Sequence, residues 1–183
     1  MFKRSIAVFC GSSLGSDPIY EMAARALGDI MGRQRRTIVF GGSRSGLMGV
    51  TADAVLKAGG SAISDSLRVF FQDSDLLKDQ PHFVYDTVRE RKAGLIAHAD
   101  AFIALPGGMG TLEELSQTLS MVNLGHADVR CVVYNVNGYY DDLRRMIDRM
   151  VSAGFYRAEA REGVIFVETL ADVVAAVEAA GKR

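Results

Sequence analysis

The sequence predicts an α/β fold: a doubly wound parallel sheet with helices on both faces, formed by residues 1–183 as a single domain. Three observations predict it. Short apolar runs alternate with longer helical patterns along the whole chain, as in a sheet built from strand–helix–strand units. Several of the short runs are continuously apolar, which implies burial on both faces beneath helices. Three of them end in glycine-rich turns that lead into a helical pattern.

Each element follows from its residues. Ser5 to Cys10 reads as a buried strand, followed by the turn Gly11-Ser12-Ser13. Pro18 to Gln34 reads as a helix, since a first turn tolerates proline. Thr37 to Phe40 is a second strand, ending in Gly41-Gly42. Leu47 to Ala58 is a helix closed by Gly59-Gly60. A weak strand follows at Ser61 to Ser64. Asp65 to Gln80 is polar and irregular, and is expected to be a loop with one helical turn. His82 to Tyr85 is a short strand and Thr87 to His98 a helix. Ala101 to Leu105 is a buried strand, then comes Pro106-Gly107-Gly108-Met109-Gly110. Thr111 to Leu124 is a helix, Val129 to Tyr134 a strand, Tyr140 to Ala153 a helix, Val164 to Val167 a strand, and Leu170 to Ala180 a final helix. Tyr139 and Tyr140 are expected to anchor a helix entry.

A chain of 183 residues suffices for one sizeable core. Its 49% hydrophobic and 23% charged content is that of a soluble globular protein. A formal net charge of -1 supplies no bulk attraction to nucleic acid or membrane, and neither is an expected partner. The opening Met-Phe-Lys-Arg enters a strand pattern without a cleavable signal, and no apolar run is long enough to cross a bilayer, so a cytoplasmic location is expected. Cys10 and Cys131 border apolar runs and read as buried free thiols, with a reactive role for Cys10 as the alternative. His82, His98 and His126 have no metal-ligand spacing.

In an open parallel sheet, ligands sit outside the carboxyl ends of the strands. The three glycine turns, Gly11-Ser12-Ser13, Gly41-Gly42-Ser43 and Gly107-Gly108-Met109-Gly110, fall at that edge. A glycine turn feeding a helix N-terminus favours an anion such as phosphate. None of the three matches the dinucleotide or P-loop pattern, which disfavours NAD binding and ATP hydrolysis. Two readings stand for Glu114. It completes a capping box with Thr111, or it is a carboxylate that stabilises a developing oxocarbenium ion or orients water. Glu113 is expected to face solvent or a partner. In Arg89-Glu90-Arg91-Lys92, the Thr87/Glu90 spacing is that of a capping box, which puts two cations near a helix N-terminus. That is either a solvated charged turn or a place where arginine binds a phosphate through two hydrogen bonds. Met121, Val122 and Leu124 read as a packing face that, joined by Leu115 and Leu119, would be broad enough to serve a dimer.

Glu90-Arg91-Lys92-Ala93, followed by Asp100-Ala101-Phe102-Ile103-Ala104-Leu105-Pro106-Gly107-Gly108-Met109-Gly110-Thr111-Leu112-Glu113-Glu114-Leu115, resembles the LOG ("Lonely Guy") family, cytokinin riboside 5′-monophosphate phosphoribohydrolases. Val8 to Ser13, Gly46 to Gly49 and Asn135 to Tyr140 extend the resemblance, which covers most of the chain to about Phe155. The resemblance implies a Rossmann-like fold and a homodimer with active sites near the subunit interface. It implies release of a free base, adenine or an N6-substituted adenine, and ribose 5-phosphate from a nucleoside 5′-monophosphate, with no metal or redox cofactor. By motif, the catalytic residues are Arg91 and Glu114. Gly107, Gly108, Gly110 and Thr111 bind phosphate, assisted by Lys92, with Ser12 in the first turn as a further contact. Such proteins have often been labelled lysine decarboxylases, a label that phosphate-binding turns do not support.

The chain departs from the family pattern at Val88-Arg89, where Met-His is usual, and at Gly41 to Gly49, where a third glycine is usual. The segment after Gly59-Gly60, which usually ends in a Val-Ile-Pro-like run, reads as shortened at Ser61 to Leu67. Two further functions fit the same scaffold: a non-catalytic nucleotide or cofactor carrier, and a broader purine and pyrimidine nucleotide nucleosidase.

Overall fold

The computed structural model describes residues 5–124 and 131–180. His126 and the first two residues of the strand expected at Val129 to Tyr134 lie outside them, as does the side chain of Val122. All seven described strands join one parallel sheet, in the order β4-β3-β2-β1-β5-β6-β7. They are β1 (Ser5–Phe9), β2 (Thr37–Phe40), β3 (Ser61–Leu67), β4 (His82–Tyr85), β5 (Ala101–Ala104), β6 (Cys131–Tyr134) and β7 (Val164–Val167). The helices are α1 (Pro18–Arg33), α2 (Gly46–Lys57), α3 (Val88–Ala97), α4 (Met109–Asn123), α5 (Asp141–Ser152), α6 (Ala158–Glu162) and α7 (Leu170–Ala180).

The continuously apolar strands fill two cores. On one face Ile6, Val8 and Cys10 pack with Leu27, Met31, Val55, Val173 and Val177, from α1, α2 and α7. On the other, Ala7 and Phe9 pack with Leu95, Leu115, Leu119 and Ile147, from α3, α4 and α5. Successive strand side chains point to opposite faces, so both parities must be apolar. Each large core side chain removed from water contributes about 1.5–3 kcal/mol. The chain moves from β1 outward to β4, then returns to β5 on the other side of β1. The crevice between the carboxyl ends of β1 and β5 is therefore the topological switch point, where such sheets bind ligands. The turns there are joined directly: Gly11 N–H donates to the Pro106 carbonyl at 3.1 Å, and Leu47 N–H to the Gly11 carbonyl at 3.1 Å.

Four local differences from the sequence reading bear on the site. β3 runs to Leu67, three residues past the expected end at Ser64: its carboxyl half pairs with β4, Ser64 opposite His82 through Leu67 opposite Tyr85. Its polar residues Ser64, Asp65 and Ser66 are buried, because the neighbouring strand and helix cover them. Two 3-10 turns, Arg68–Phe70 and Asp73–Asp75, follow where one helical turn was expected. α4 begins at Met109, two residues before Thr111. α6 and a 3-10 turn at Val136–Gly138 were not anticipated.

The expected apolar face of α4 is divided. Leu115 and Leu119 belong to the core, whereas Leu124 is exposed and Met121 half-buried. Cys10 and Cys131 are buried free thiols, as expected. Burial raises the pKa of both, Cys131 to about 12, and at Cys10 the negative charge of Glu114 adds to the effect. A thiol kept protonated is a poor nucleophile.

Candidate active site

The site is assembled from the first turns of α3 and α4. α3 starts with the expected capping box: Thr87 Oγ1 accepts from Glu90 N–H at 3.2 Å, and Glu90 Oε2 accepts from Thr87 N–H at 3.2 Å. This fixes where the helix begins, and so where its fourth residue, Arg91, emerges. The Arg91 guanidinium then lies across the carboxyl edge of the sheet. Its Nε donates to the Asp65 carbonyl in the carboxyl half of β3, at 2.9 Å. Its Nη1 reaches Glu114 Oε1 on α4 at 3.0 Å. It passes Gly41 so closely that a Cβ there would collide with Nη2, so the glycine after β2 is what lets the guanidinium through.

The α3–α4 junction holds two parallel ion pairs, Arg91–Glu114 and, at 2.8 Å, Lys92–Glu113. They differ in burial. Arg91 and Glu114 side chains are 18% and 13% exposed, while Glu113 is 55% exposed. Burial raises the Glu114 pKa above the ordinary carboxylate range; the Arg91 charge opposes that shift, Glu113 adds to it and Lys92 opposes it. A carboxylate so placed suits proton transfer nearer neutrality than a free glutamate does. Glu113 faces solvent, as expected, while holding Lys92.

At α4 the capping reading of Thr111 is corrected. Gly108 carbonyl accepts the N–H of Leu112 at 3.0 Å, so the helix begins just after Gly108 and Thr111 lies inside it. Thr111 is buried beneath Gly107, its Oγ1 against the position a Cβ would take there. Glu114 is thereby released from a capping role and turns to Arg91. Gly108 and Gly110 border open space. The first turn of α4 carries N–H groups without acceptors in the helix, beside that open space. Tyr139 and Tyr140 brace the turn from β6: Tyr139 OH donates to the Gly107 carbonyl at 2.6 Å and Tyr140 OH to the Leu105 carbonyl at 2.7 Å. Ser12 is exposed in the turn after β1, its backbone packed against Gly46.

Arg91, Glu114, Gly107, Gly108, Gly110 and Ser12 thus share one edge, with Lys92 tied to Glu113. Residues 48–177 match the protein family described as "Possible lysine decarboxylase". A cytokinin riboside 5′-monophosphate phosphoribohydrolase of Arabidopsis thaliana is 38% identical over 178 residues, covering 96% of this chain and 82% of that protein. One of Rhodococcoides fascians is 34% identical over 177 residues, covering 95% and 89%. The chain belongs to the LOG family. Solved structures extend the likeness of fold to proteins that handle the molybdenum cofactor. The molybdenum cofactor carrier protein of Chlamydomonas reinhardtii has a TM-score of 0.74 at 18% identity over 100% of both chains, and the molybdenum cofactor binding protein of Rippkaea orientalis 0.69 at 17% over 98% of both.

Beyond the LOG motif, the structure brings three unanticipated residues to the site. Asp65 is fully buried behind Arg91, and its carboxylate meets Tyr85 OH at 3.4 Å and His98 Nδ1 at 3.1 Å. Burial raises the Asp65 pKa, against the opposing influence of hydrogen bonding and charge from His98, the hydrogen bond from Tyr85 and the charge of Arg91. A signal existed for Asp65 in the Ser-Asp-Ser interruption of an otherwise strand-like run, at which the expected strand ends after Ser64.

Proposed function

We propose that this LOG-family chain hydrolyses the N-glycosidic bond of a nucleoside 5′-monophosphate, releasing ribose 5-phosphate and a free base, adenine or an N6-substituted adenine. The observation that carries the reading is the Arg91–Glu114 pair, 3.0 Å apart and largely buried, beside the open glycine turn of α4. The phosphate is assigned to that turn, where free N–H groups and the positive end of the helix dipole attract an anion. Gly107, Gly108 and Gly110 form the turn, Thr111 packs beneath it, and Ser12 and Lys92 are the side-chain donors assigned to the phosphate. As the C1′–N bond breaks, positive charge develops on the ribose. Glu114 stabilises it and takes the proton of the water whose oxygen bonds to C1′; the base leaves with the electron pair of the broken bond and takes a proton from solvent, to which Glu114 returns its own. Arg91 offsets phosphate or leaving-group charge. The substrate class follows the names of the relatives.

The remaining assignments belong to the same reading. Residues 1–183 act as one domain, in the cytoplasm; among the described residues no helix is long and apolar enough to cross a membrane. The protein works as a homodimer. Support comes from an apolar groove of about 230 Å³ between α4 and α5, lined by Leu112, Leu119, Leu143, Ile147, Met150 and Tyr156 among others, on the helix that carries Glu114. The carrier alternative draws on fold likeness alone, and the broader nucleosidase differs only in which base fits.

The test is release of free base from a panel of nucleoside 5′-monophosphates and their dephosphorylated nucleosides, by the wild type and Glu114→Gln. Release from monophosphates only, lost in the variant, is the expected result. Tight nucleotide binding without release would replace the enzyme with the carrier.

A further inference from the structure

We infer that Asp65, with Tyr85 and His98, is a positioning unit that holds Arg91 in place across the carboxyl edge of the sheet, and thereby sets the affinity of the site for its nucleotide. The inference rests on the nucleotide reading above. Arg91 on α3 and His98, the residue that caps its carboxyl end, are seven residues apart, two helical turns, and so share a face. Asp65 grips both ends of that face. Its carbonyl accepts from Arg91 Nε at 2.9 Å and its carboxylate meets His98 Nδ1 at 3.1 Å. Between them lies Gly94, where a Cβ would collide with Tyr85 OH, the same hydroxyl that donates to Asp65 Oδ1 at 3.4 Å. β3 and β4 therefore touch α3 at three successive points along the helix. The His98 ring is held in turn by Phe83 of β4, with ring centroids 4.6 Å apart.

A buried carboxylate is an expensive way to fill a strand, and Asp65 is 0% exposed. An apolar side chain would serve the core as well. What it could not do is fix the rotation and height of α3 through a directed bond to His98 while its own peptide holds Arg91. The second arm of Arg91 goes to Glu114, a group that exchanges partners as the substrate reacts. The bond to the Asp65 carbonyl is then the arm that stays.

The experiment is calorimetric binding of adenosine 5′-monophosphate in a Glu114→Gln background, so that the nucleotide is not consumed. His98→Ala should weaken binding roughly tenfold. His98→Asn, whose amide nitrogen falls near the position of Nδ1, should restore most of it. In the presence of Arg91→Ala, His98→Ala should have no further effect. Equal losses with and without Arg91 would overturn the inference, since a purely structural role would act in both; so would wild-type affinity in His98→Ala. Asp65→Asn, which keeps an acceptor for Tyr85, should follow His98→Ala. If it does not fold, the His98 variants still decide. Unchanged affinity in Arg91→Ala alone would overturn the nucleotide reading of the site, and this inference with it.

Discussion

The proposed chemistry rests on one carboxyl group, Glu114, and its environment makes its behaviour checkable. Glu114→Gln keeps the shape and an acceptor for Arg91 but cannot take a proton. Turnover should fall by about 10²–10⁴-fold, with the melting temperature little changed, as scanning calorimetry would record. The pH dependence follows from the direction of the shift. Burial raises the Glu114 pKa, so a higher pH is needed to ionise it, and the acid limb of kcat/KM should lie above the ordinary glutamate range. Arg91 opposes that shift. Removing its charge in Arg91→Ala should move the limb of the residual activity further up, and a limb that moved down would contradict this account.

At the scale of elements, two short devices carry the site. The Thr87/Glu90 capping box starts α3 and thereby aims Arg91. Thr87→Ala should cost about 1 kcal/mol of stability, a fall of about 2–4 °C in melting temperature for a chain of this size, measurable by circular dichroism. The glycine turn before α4 separates packing from binding. A Cβ at Gly107 meets Thr111 and the Gly11 backbone, whereas one at Gly108 meets nothing within 4 Å. Gly107→Ala should destabilise the fold. Gly108→Ala should leave the melting temperature near wild type while weakening nucleotide binding, because its methyl enters the space assigned to phosphate. Equal stability losses in the two would contradict the geometry.

At the scale of the whole molecule, one parallel sheet brings sequence-distant turns together. Glycines after β1, β2 and β5 meet at one edge because parallel strands place all their carboxyl ends on the same side. The same architecture leaves the α4–α5 groove on the flank, with Leu112 at 37% exposure on its lining. Burying that groove against a second copy accounts for the proposed homodimer. Leu112→Glu puts a charge there and should yield monomers in analytical ultracentrifugation; an unchanged mass would move the interface elsewhere.

The sequence by itself determined the alternating architecture, the buried strands, the capping box at Thr87 and the glycine turns, because each depends on local period or on a residue type with few conformational uses. It also determined the LOG resemblance, through Arg91-Lys92 and the run from Pro106 to Glu114. Only the tertiary structure removed the capping reading of Glu114: the capping bond is local, but its competitor, Arg91, is 23 residues away in sequence and arrives through the packing of α3 beside α4. The end of β3 was decided in the same way. Asp65 and Ser66 read as the start of a polar loop, since polarity is the local signal; pairing with β4 and cover from α3 make them strand. A buried carboxylate needs partners, and those of Asp65, which are Tyr85, Arg91 and His98, come from segments that the chain order alone does not bring together.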